Sequence, residues 1–350
     1  MGEGIINTAI VGFGLSGRVF HAPFIQTHPG FRLVTVVERH SSLSKEIYPG
    51  VTIATDYYNV LNDGSIKLVV LATPNIYHFE QARSALEAGK HVVVEKPFTP
   101  TSQEADALIG IAEKTGKKIF VYQNRRWDGD FKTIQQVVYN GYLGEILEYE
   151  AHFDRYAPGA RRSAWRDEPL PAGGVLYDLG SHLVDQALVL FGMPRSVYAD
   201  IRMQRAESKV DDYFHVHLYY ERLKVILKAS VFVKEQGPRY SLHGTKGSFI
   251  KYGIDPQEEM LKAGAMPGLE DWGKEDPDYW GLLNAEMHGQ QFYGNIETEP
   301  GNYMAFYDNV FDVITKGAEQ AVTPQEARNV IRILELAFES QRAQSLVKIA

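Results

Sequence analysis

The chain has no cysteine among its 350 residues. This absence excludes disulfides, thiolate nucleophiles and cysteine-ligated metals, and it is compatible with a reducing compartment. Basic residues are also scarce: 36 Lys and Arg against 44 Asp and Glu give a formal net charge of −8, which argues against nucleic acid as a partner. No apolar run approaches about 18 residues, and the apolar N-terminus lacks the basic leading region of a secretory signal. We therefore expect a soluble, cytoplasmic protein with no membrane partner.

What the chain does contain is enough apolar material for sizeable cores. Hydrophobic residues make up 44% of it and aromatic residues 12%. A chain of this length exceeds what one compact core usually serves, so we expect two domains.

The segment TAIVGFGLSGRV, residues 8–19, is typical of a strand that turns sharply into a helix. Gly12 would permit the tight turn, Gly14 would let a pyrophosphate approach the main chain, and Gly17 would let the helix lie close to its strand. A glycine-rich turn that binds nothing is the alternative. The position directly after a strand-like run favours a dinucleotide site.

Glu38 ends the next strand-like run, 21 positions beyond Gly17 and close to the spacing of about 20 for a ribose-binding carboxylate. A carboxylate there favours NAD and would repel the 2′-phosphate of NADP. The neighbouring Arg39, with nearby hydroxyl groups, can instead accommodate that phosphate, or it can be a solvated loop residue. NAD and NADP therefore both remain open as the cofactor.

Strand-like and helix-like segments alternate up to residue 122 and predict an α/β fold, with a doubly wound parallel sheet over residues 1–122. Pro23 should shorten or kink the first helix near His21 and Ala22. Ligands of such sheets bind beyond the carboxyl ends of the strands. The predicted strands are 31–37, 67–72, 91–94 and 119–122, and the predicted helices are 76–88 and 102–115. The predicted cofactor-binding residues are Gly12, Phe13, Gly14, Leu15, Ser16, Gly17, Glu38, Arg39, Thr73, Pro74, Asn75, His78, Glu95, Lys96, Pro97 and Asn124.

Residues 123–350 show a different pattern and predict a second α/β domain with a large, mostly antiparallel open sheet. One face of that sheet should be covered by helices of this chain. Aromatic and histidine side chains alternate on the other face, which we expect to form a subunit interface in a homodimer or homotetramer. Those side chains are Tyr213, His215, His217 and Tyr219. Predicted strands lie at 147–156, 197–205, 212–220, 223–234 and 240–243, and predicted helices at 128–138, 175–191 and 324–340.

Asp178 and His182 are four residues apart in the predicted helix 175–191, so they would share one helix face. A histidine can accept a hydroxyl proton near neutral pH, and a carboxylate one turn earlier can orient it. A surface ion pair, or a capping aspartate beside an unrelated core histidine, is the structural alternative. A metal pair also fits the spacing, but no further ligand has a recognisable spacing, so we expect no metal.

Lys96 follows a buried strand within Glu95-Lys96-Pro97, where proline would hold it extended and direct its side chain into the crevice. Together with the glycine turn and Asp178-Leu-Gly-Ser-His182, this tripeptide resembles motifs of the Gfo/Idh/MocA oxidoreductase family, across essentially the whole chain. Further segments resemble the bacterial NADP-dependent scyllo-inositol dehydrogenase subgroup of that family: 15–23, 124–128, 177–182, 237–240, 248–255 and 329–333. NADP-preferring relatives often have a small hydroxyl residue where this chain has Glu38.

The resemblance implies a Rossmann domain, an α/β domain whose open sheet commonly mediates dimers or tetramers, and a catalytic set of Lys96, Asp178 and His182. The expected reaction is reversible oxidation of a secondary alcohol on a cyclitol or sugar ring, with His182 as base, Lys96 stabilising the alkoxide and Asp178 orienting the imidazole. A dinucleotide-binding regulator without turnover and a redox-neutral, NAD-dependent sugar-processing enzyme are the alternatives. Arginines and aromatics expected to bind the polyol are Arg125, Arg126, Trp127, Arg155, Tyr156, Trp165 and Tyr177.

Overall fold

The chain packs as two compact units. The computed structural model describes residues 4–159, 168–287 and 289–349. The first unit takes in the chain up to Asn124 and two later segments, Gln257–Trp272 and Asn302–Arg328. The second unit is formed by Arg125–Pro256, Gly273–Gly301 and the chain from Asn329 onward. Two segments from the C-terminal half of the sequence therefore belong to the first unit.

The secondary structure is mixed throughout, and strands and helices are numbered here in chain order. The strands are β1 (Ile6–Val11), β2 (Phe31–Val37), β3 (Thr52–Ala54), β4 (Leu68–Leu71), β5 (His91–Val94), β6 (Ile119–Val121), β7 (Ile146–His152), β8 (Ser196–Arg202), β9 (Tyr213–Tyr219), β10 (Lys224–Ser230), β11 (Tyr240–Gly244), β12 (Gly247–Lys251), β13 (Gly281–Met287), β14 (Gln290–Ile296) and β15 (Val347–Lys348). The α-helices are α1 (Ala22–Thr27), α2 (Leu43–Ile47), α3 (Tyr57–Asn62), α4 (His78–Glu87), α5 (Ser102–Thr115), α6 (Gly129–Tyr139), α7 (Ser181–Phe191), α8 (Gln257–Lys262), α9 (Met304–Lys316) and α10 (Pro324–Ala343). Shorter helical segments are the π-helices Ser16–His21 and Leu176–Gly180 and the 3₁₀ turns Asn75–Tyr77, Asn124–Trp127 and Pro277–Tyr279. Over the residues just given as described, no helix combines the length and the apolar character needed to cross a membrane.

The first unit contains the parallel sheet predicted from its continuous apolar runs. It has six strands, in the order β3-β2-β1-β4-β5-β6, of which the short β3 was not predicted. This is the strand order of a dinucleotide-binding doubly wound fold, with its switch point between β1 and β4. Val11, the last residue of β1, pairs with Val37 and with Leu71, and Leu71 pairs with Val94. The register therefore brings the carboxyl ends of four strands to one edge, directly before Gly12, Glu38, Ala72 and Glu95.

The second unit contains a nine-stranded sheet in the order β14-β13-β12-β11-β7-β10-β9-β8-β15. In the described residues β7 and β10 pair in parallel, and the other neighbours pair antiparallel. The prediction of a large, mostly antiparallel sheet is thus confirmed. The hairpin β13–β14 was not predicted, because β14 is largely exposed along its length and lacks an apolar alternation.

One face of this second sheet is buried beneath helices. In β9, Phe214, Val216 and Leu218 are buried, whereas the alternating Tyr213, His215, His217 and Tyr219 are half-exposed. On the covered face Tyr149 of β7 packs edge-on against Phe191 of α7, and Ser340 of α10 accepts a hydrogen bond from the backbone N–H of Ala199 in β8. The two faces of the sheet therefore have the characters that alternation predicts.

Candidate active site

The glycine turn has the geometry that its sequence predicts. Gly12 has φ +91°, and a Cβ there would lie 2.8 Å from the carbonyl oxygen of Ala72. A Cβ on Gly17 would lie 2.2 Å from the carbonyl oxygen of Gly12, whereas one on Gly14 would meet no atom within 4 Å. Gly12 and Gly17 thus permit close backbone packing, and Gly14 faces open space. Open main chain after a tight turn is what a dinucleotide pyrophosphate requires, so the residues present fit such a cofactor.

The helical segment after the glycine turn changes from π-helix to α-helix along its length. Ser16–His21 is π-helical, and α1 begins at Ala22 with Pro23 in its first turn. The break predicted at His21 and Ala22 coincides with this change. Proline is accommodated because the first-turn N–H groups of a helix have no intrahelical acceptor.

Glu95, the residue after β5, is buried and accepts hydrogen bonds from three other residues. Its Oε1 accepts hydrogen bonds from the hydroxyl of Ser16 and from Nε2 of His21, at 3.0 Å for the latter, and its Oε2 accepts the backbone N–H of Lys96 at 3.0 Å. Burial raises the pKa of Glu95, but the hydrogen bond and charge of His21, the Ser16 hydroxyl and the Lys96 charge outweigh it and lower that pKa to about 2. Glu95 is therefore an anion near neutral pH.

Two backbone carbonyl groups hold His78 near the ends of β4 and β5. The Lys96–Pro97 peptide is cis. The buried ring of His78 lies between two carbonyl oxygens, with Nδ1 2.9 Å from that of Pro97 and Nε2 3.0 Å from that of Thr73. Burial lowers the pKa of His78 despite these two acceptors. His78 thus joins the strand ends β4 and β5, and Asn75 beside it is also buried.

The carboxylate of Glu38 accepts hydrogen bonds from the loop that follows it in the chain. Its Oε1 accepts the hydroxyl of Ser41 at 2.5 Å, and its Oε2 accepts both the hydroxyl of Ser44 and the backbone N–H of Ser44, the latter at 3.0 Å. Burial raises the pKa of Glu38, but these hydrogen bonds together lower it. Ribose hydroxyls would therefore compete with Ser41 and Ser44 for this carboxylate, while Arg39 beside it is exposed.

Other predicted cofactor residues differ in exposure. Phe13 is buried against Tyr48 in an edge-on contact, whereas Leu15 is 51% exposed. Pro74 precedes the 3₁₀ turn Asn75–Tyr77, and Asn124 is buried at the end of the first unit.

In the second unit, Asp178 and His182 lie on two helical segments of different type. Asp178 is in the π-helix Leu176–Gly180, and His182 is in the first turn of α7. The single helix predicted over 175–191 thus changes geometry between them. His182 is 5% exposed, and its ring centroid lies 6.4 Å from that of Phe153.

Asp211, which was not among the predicted site residues, holds the start of this segment. Its Oδ2 accepts the backbone N–H of Leu176 at 2.6 Å, and its carbonyl oxygen accepts that of Val175 at 2.9 Å. Gly174, at φ +88°, has no room for a Cβ, which would lie 2.0 Å from Oδ1 of Asp211. Burial raises the pKa of Asp211 to about 7, because the backbone N–H donors do not offset burial and the charge of Asp212 adds to it.

Two of the predicted substrate arginines hold neighbouring groups of the second unit. Arg126 donates from Nε and one Nη to the two carboxylate oxygens of Asp185 on α7, at 2.8 and 2.7 Å. Arg125 pairs with Asp128 at 3.1 Å and lies over the ring of Phe153, 5.1 Å from its centroid. Arg126 therefore fixes α7, one turn beyond His182.

Phe153 brings several basic groups together. Besides Arg125 and His182, the guanidinium of Arg239 lies over its ring, 3.5 Å from the centroid, and donates to the carbonyl of His152. Arg239 was not among the predicted site residues, although it stands in the segment 237–240 noted for its resemblance. Its single position in a sequence motif gave no sign that it stacks on this ring.

The remaining predicted substrate residues are dispersed. Tyr177 is buried and stacks on Phe338 of α10, at 5.9 Å between centroids. Tyr156 is exposed and forms an isolated antiparallel β-bridge with Phe232. The backbone N–H of Arg155 donates to the carbonyl of Ser230, and the carbonyl of Arg155 accepts from the N–H of Val233. Trp127 ends the 3₁₀ turn Asn124–Trp127. Trp165 lies outside the described residues.

Known proteins match the chain along its length. Residues 6–123 match the NAD-binding Rossmann-fold model of the Gfo/Idh/MocA oxidoreductase family, and residues 135–349 match its C-terminal alpha/beta domain. The chain belongs to this family. It is therefore a dehydrogenase with a nicotinamide-dinucleotide-binding Rossmann domain, and its cofactor is NAD or NADP.

Relatives cover the whole chain. Scyllo-inositol 2-dehydrogenase (NADP(+)) IolW of Bacillus subtilis is 38% identical over 98% of this chain and 96% of its own length. The structure of the oxidoreductase YvaA from Bacillus subtilis matches with a TM-score of 0.94 at 38% identity, covering 99% of this chain and 100% of that one. An oxidoreductase structure from Bacteroides fragilis matches with a TM-score of 0.91 at 44% identity, covering 99% and 100%.

Proposed function

We propose that this dehydrogenase reversibly oxidises a secondary alcohol on a cyclitol or sugar ring. The substrate class is supported by the similarity to a scyllo-inositol 2-dehydrogenase over nearly the full length of both chains. A second relative, D-glucoside 3-dehydrogenase of Escherichia coli, is 30% identical over 54% of this chain and 55% of its own length, and its name also specifies a ring alcohol.

His182 is the proposed base. It takes the proton from the substrate hydroxyl, and Asp178, four residues earlier, orients the imidazole. The observation that carries this assignment is the placement of His182: it is buried in the first turn of α7, beside the ring of Phe153. Asp211 holds this helical segment at Leu176, before His182, and Arg126 holds it at Asp185, after His182. A base held on a rigid element is positioned well enough to act on one hydroxyl.

Lys96 is proposed to stabilise the alkoxide that forms as the proton leaves. The charge of Lys96 is one of the groups that lower the pKa of the neighbouring Glu95, so the two residues interact electrostatically. When bound, the nicotinamide cofactor supplies the hydride acceptor. Arg125, Arg126, Trp127, Arg155, Tyr156, Trp165 and Tyr177 remain the proposed polyol-binding residues, with Arg126 acting through its ion pair with Asp185.

Replacing the proposed base tests this function. His182→Ala should lower turnover by about 10²–10⁴, while the cofactor dissociation constant without substrate stays near that of the wild type. His243→Ala is the matched control, since His243 is exposed and its Nδ1 lies 2.8 Å from the hydroxyl oxygen of Ser248. Wild-type turnover in His182→Ala would exclude its role as base. Cofactor reduction measured over a series of cyclitols and sugars, with NAD and with NADP, identifies the substrate.

We also propose that the half-exposed face of the second sheet joins two copies of this chain. Four aromatic and imidazole side chains line β9 on that face, and the Nε2 atoms of His215 and His217 lie 3.2 Å apart. Such a face is too apolar to be an ordinary solvated surface. Sedimentation of the wild type should give a dimer or tetramer, and Tyr219→Glu with His217→Glu should shift it toward monomer. Only monomer at micromolar concentration would contradict the interface.

A further inference from the structure

A buried chain of side chains in the first unit connects α9 to the glycine turn. The hydroxyl of Tyr307 lies 2.7 Å from Nδ1 of His21, and Nε2 of His21 lies 3.0 Å from Oε1 of Glu95. The hydroxyl of Ser16 donates to the same Oε1, and the backbone N–H of Lys96 donates to Oε2. His21 and Tyr307 are fully buried.

The direction of the hydrogen bonds in this chain follows from its two ends. Glu95 is ionised and can only accept, so Nε2 of His21 must carry a proton. Burial raises the pKa of the Tyr307 phenol well above its usual value, so its hydroxyl keeps its proton. Nε2 of His21 thus donates to Glu95, and the Tyr307 hydroxyl lies within hydrogen-bond distance of Nδ1. The ring is held between these two side chains.

We propose that Glu95 is a positioning residue for the cofactor site, held in place by the chain Tyr307–His21–Glu95. Its two oxygens join Ser16 of the glycine turn to the backbone of Lys96 at the end of β5, so one carboxylate fixes both elements. It acts through these residues and does not itself contact the cofactor. The inference rests on the nicotinamide dinucleotide site of the first unit and is independent of which polyol is oxidised.

Glu95→Gln tests whether the carboxylate is needed. Three donors converge on Glu95, from Ser16, His21 and Lys96, but an amide has one acceptor oxygen and a donating NH₂ group. If the amide oxygen accepts from Lys96, the NH₂ group faces His21. The imidazole then has to reverse, with Nε2 accepting and Nδ1 donating to Tyr307.

The experiment measures the His21 tautomer by ¹⁵N NMR and the dissociation constants of NADH and NADPH without substrate. We expect Nε2 of His21 to carry a proton in the wild type and to have lost it in Glu95→Gln. Because a lost hydrogen bond to a charged group is worth about 1.5 kcal/mol or more, both dissociation constants should rise about tenfold or more in that variant.

Tyr307→Phe and Tyr122→Phe complete the test. The ring of Tyr122 packs on the same His21 ring, with 4.4 Å between the two centroids. Its hydroxyl, however, donates to the carbonyl of Phe20, which is not part of the hydrogen-bonded series Tyr307–His21–Glu95. Tyr307→Phe should raise the cofactor dissociation constants about threefold, roughly the effect of one neutral hydrogen bond, and Tyr122→Phe should leave them unchanged.

An Nδ1–H tautomer in the wild type, or wild-type cofactor affinity in folded Glu95→Gln, overturns the proposal. If Glu95→Gln does not fold, wild-type affinity in Tyr307→Phe overturns it. Cofactor binding is read without substrate, so a failure of the polyol proposal leaves this result intact.

Discussion

The two units each carry a π-helical segment with predicted site residues, and a buried carboxylate holds each segment. In the first unit Glu95 holds Ser16–His21, and in the second Asp211 holds the start of Leu176–Gly180. The two carboxylates have opposite pKa shifts. That of Glu95 is lowered to about 2, whereas that of Asp211 is raised to about 7.

The difference comes from the partners and not from burial, which raises the pKa of both groups. Glu95 faces the imidazole of His21, the Ser16 hydroxyl and the charge of Lys96. Asp211 receives backbone N–H groups and has the carboxylate of Asp212 next to it in sequence. Buried carboxylates are stabilised as anions by charged partners, and without them the neutral form is favoured. Glu95, which holds the glycine turn, is therefore an anion near neutral pH, and Asp211, which holds the proposed catalytic segment, changes protonation there.

The largest expected effect is in the pH dependence given by Asp211. Its folded pKa of about 7 lies above the ordinary 3.8, so its contribution to stability is complete below about pH 3.8 and is lost as the pH rises through 7. A shift of this size corresponds to about 4 kcal/mol. Asp211→Asn keeps an oxygen for the Leu176 N–H but cannot ionise. Urea unfolding from pH 4 to 8 should show the wild type losing stability relative to this variant.

Glu95→Gln should give the opposite slope. The folded pKa of Glu95 is about 2 against an ordinary 4.5, so its stabilisation is complete above about pH 4.5 and is lost as the pH falls through 2. The wild type should therefore lose up to about 3 kcal/mol relative to this variant on acidification. Parallel pH profiles for the wild type and both variants would mean that the two anchors do not differ in their partners as described.

The elements that were predicted correctly are those whose sequence pattern lies within the element or in the residues next to it. The bounds of β5 at His91–Val94 and of α5 at Ser102–Thr115 agree with the sequence analysis, since an all-apolar run marks a buried parallel strand and Thr101 with Glu104 forms a capping box before α5. The glycine turn was likewise predictable, because Gly12 and Gly17 have no room for a Cβ and Gly14 leaves the main chain open.

The anchors could not be predicted, because they depend on distant parts of the chain. His21 and Tyr307 are 286 residues apart, and Asp211 and Leu176 are 35 apart. Neither pair leaves a periodic pattern, and the π-helical geometry of both segments has no composition signal. Arg126 was expected to bind substrate because arginines suit hydroxylated rings, and its bidentate pairing with Asp185 became visible only in the structure.

The smallest expected effect is that of Arg126→Lys, which allows two buried carboxylates of the second unit, Asp185 and Asp211, to be compared. Asp185 lies on α7, which follows the π-helix held by Asp211, and its partner is a full cation: Arg126 donates to both its oxygens, and the two side chains are 9% and 2% exposed. Arg126→Lys keeps the charge and loses the planar fork, which should cost about 1–2 kcal/mol in urea unfolding at pH 7.5. Arg195→Lys, in an exposed pair with Glu221, should leave the midpoint unchanged. At the same pH Asp211→Asn should raise stability. Opposite signs for these two changes would show that the charged partner, and not burial, decides whether a buried carboxylate stabilises the fold. Equal midpoints for Arg126→Lys and the wild type would mean that the fork contributes no more than a surface ion pair.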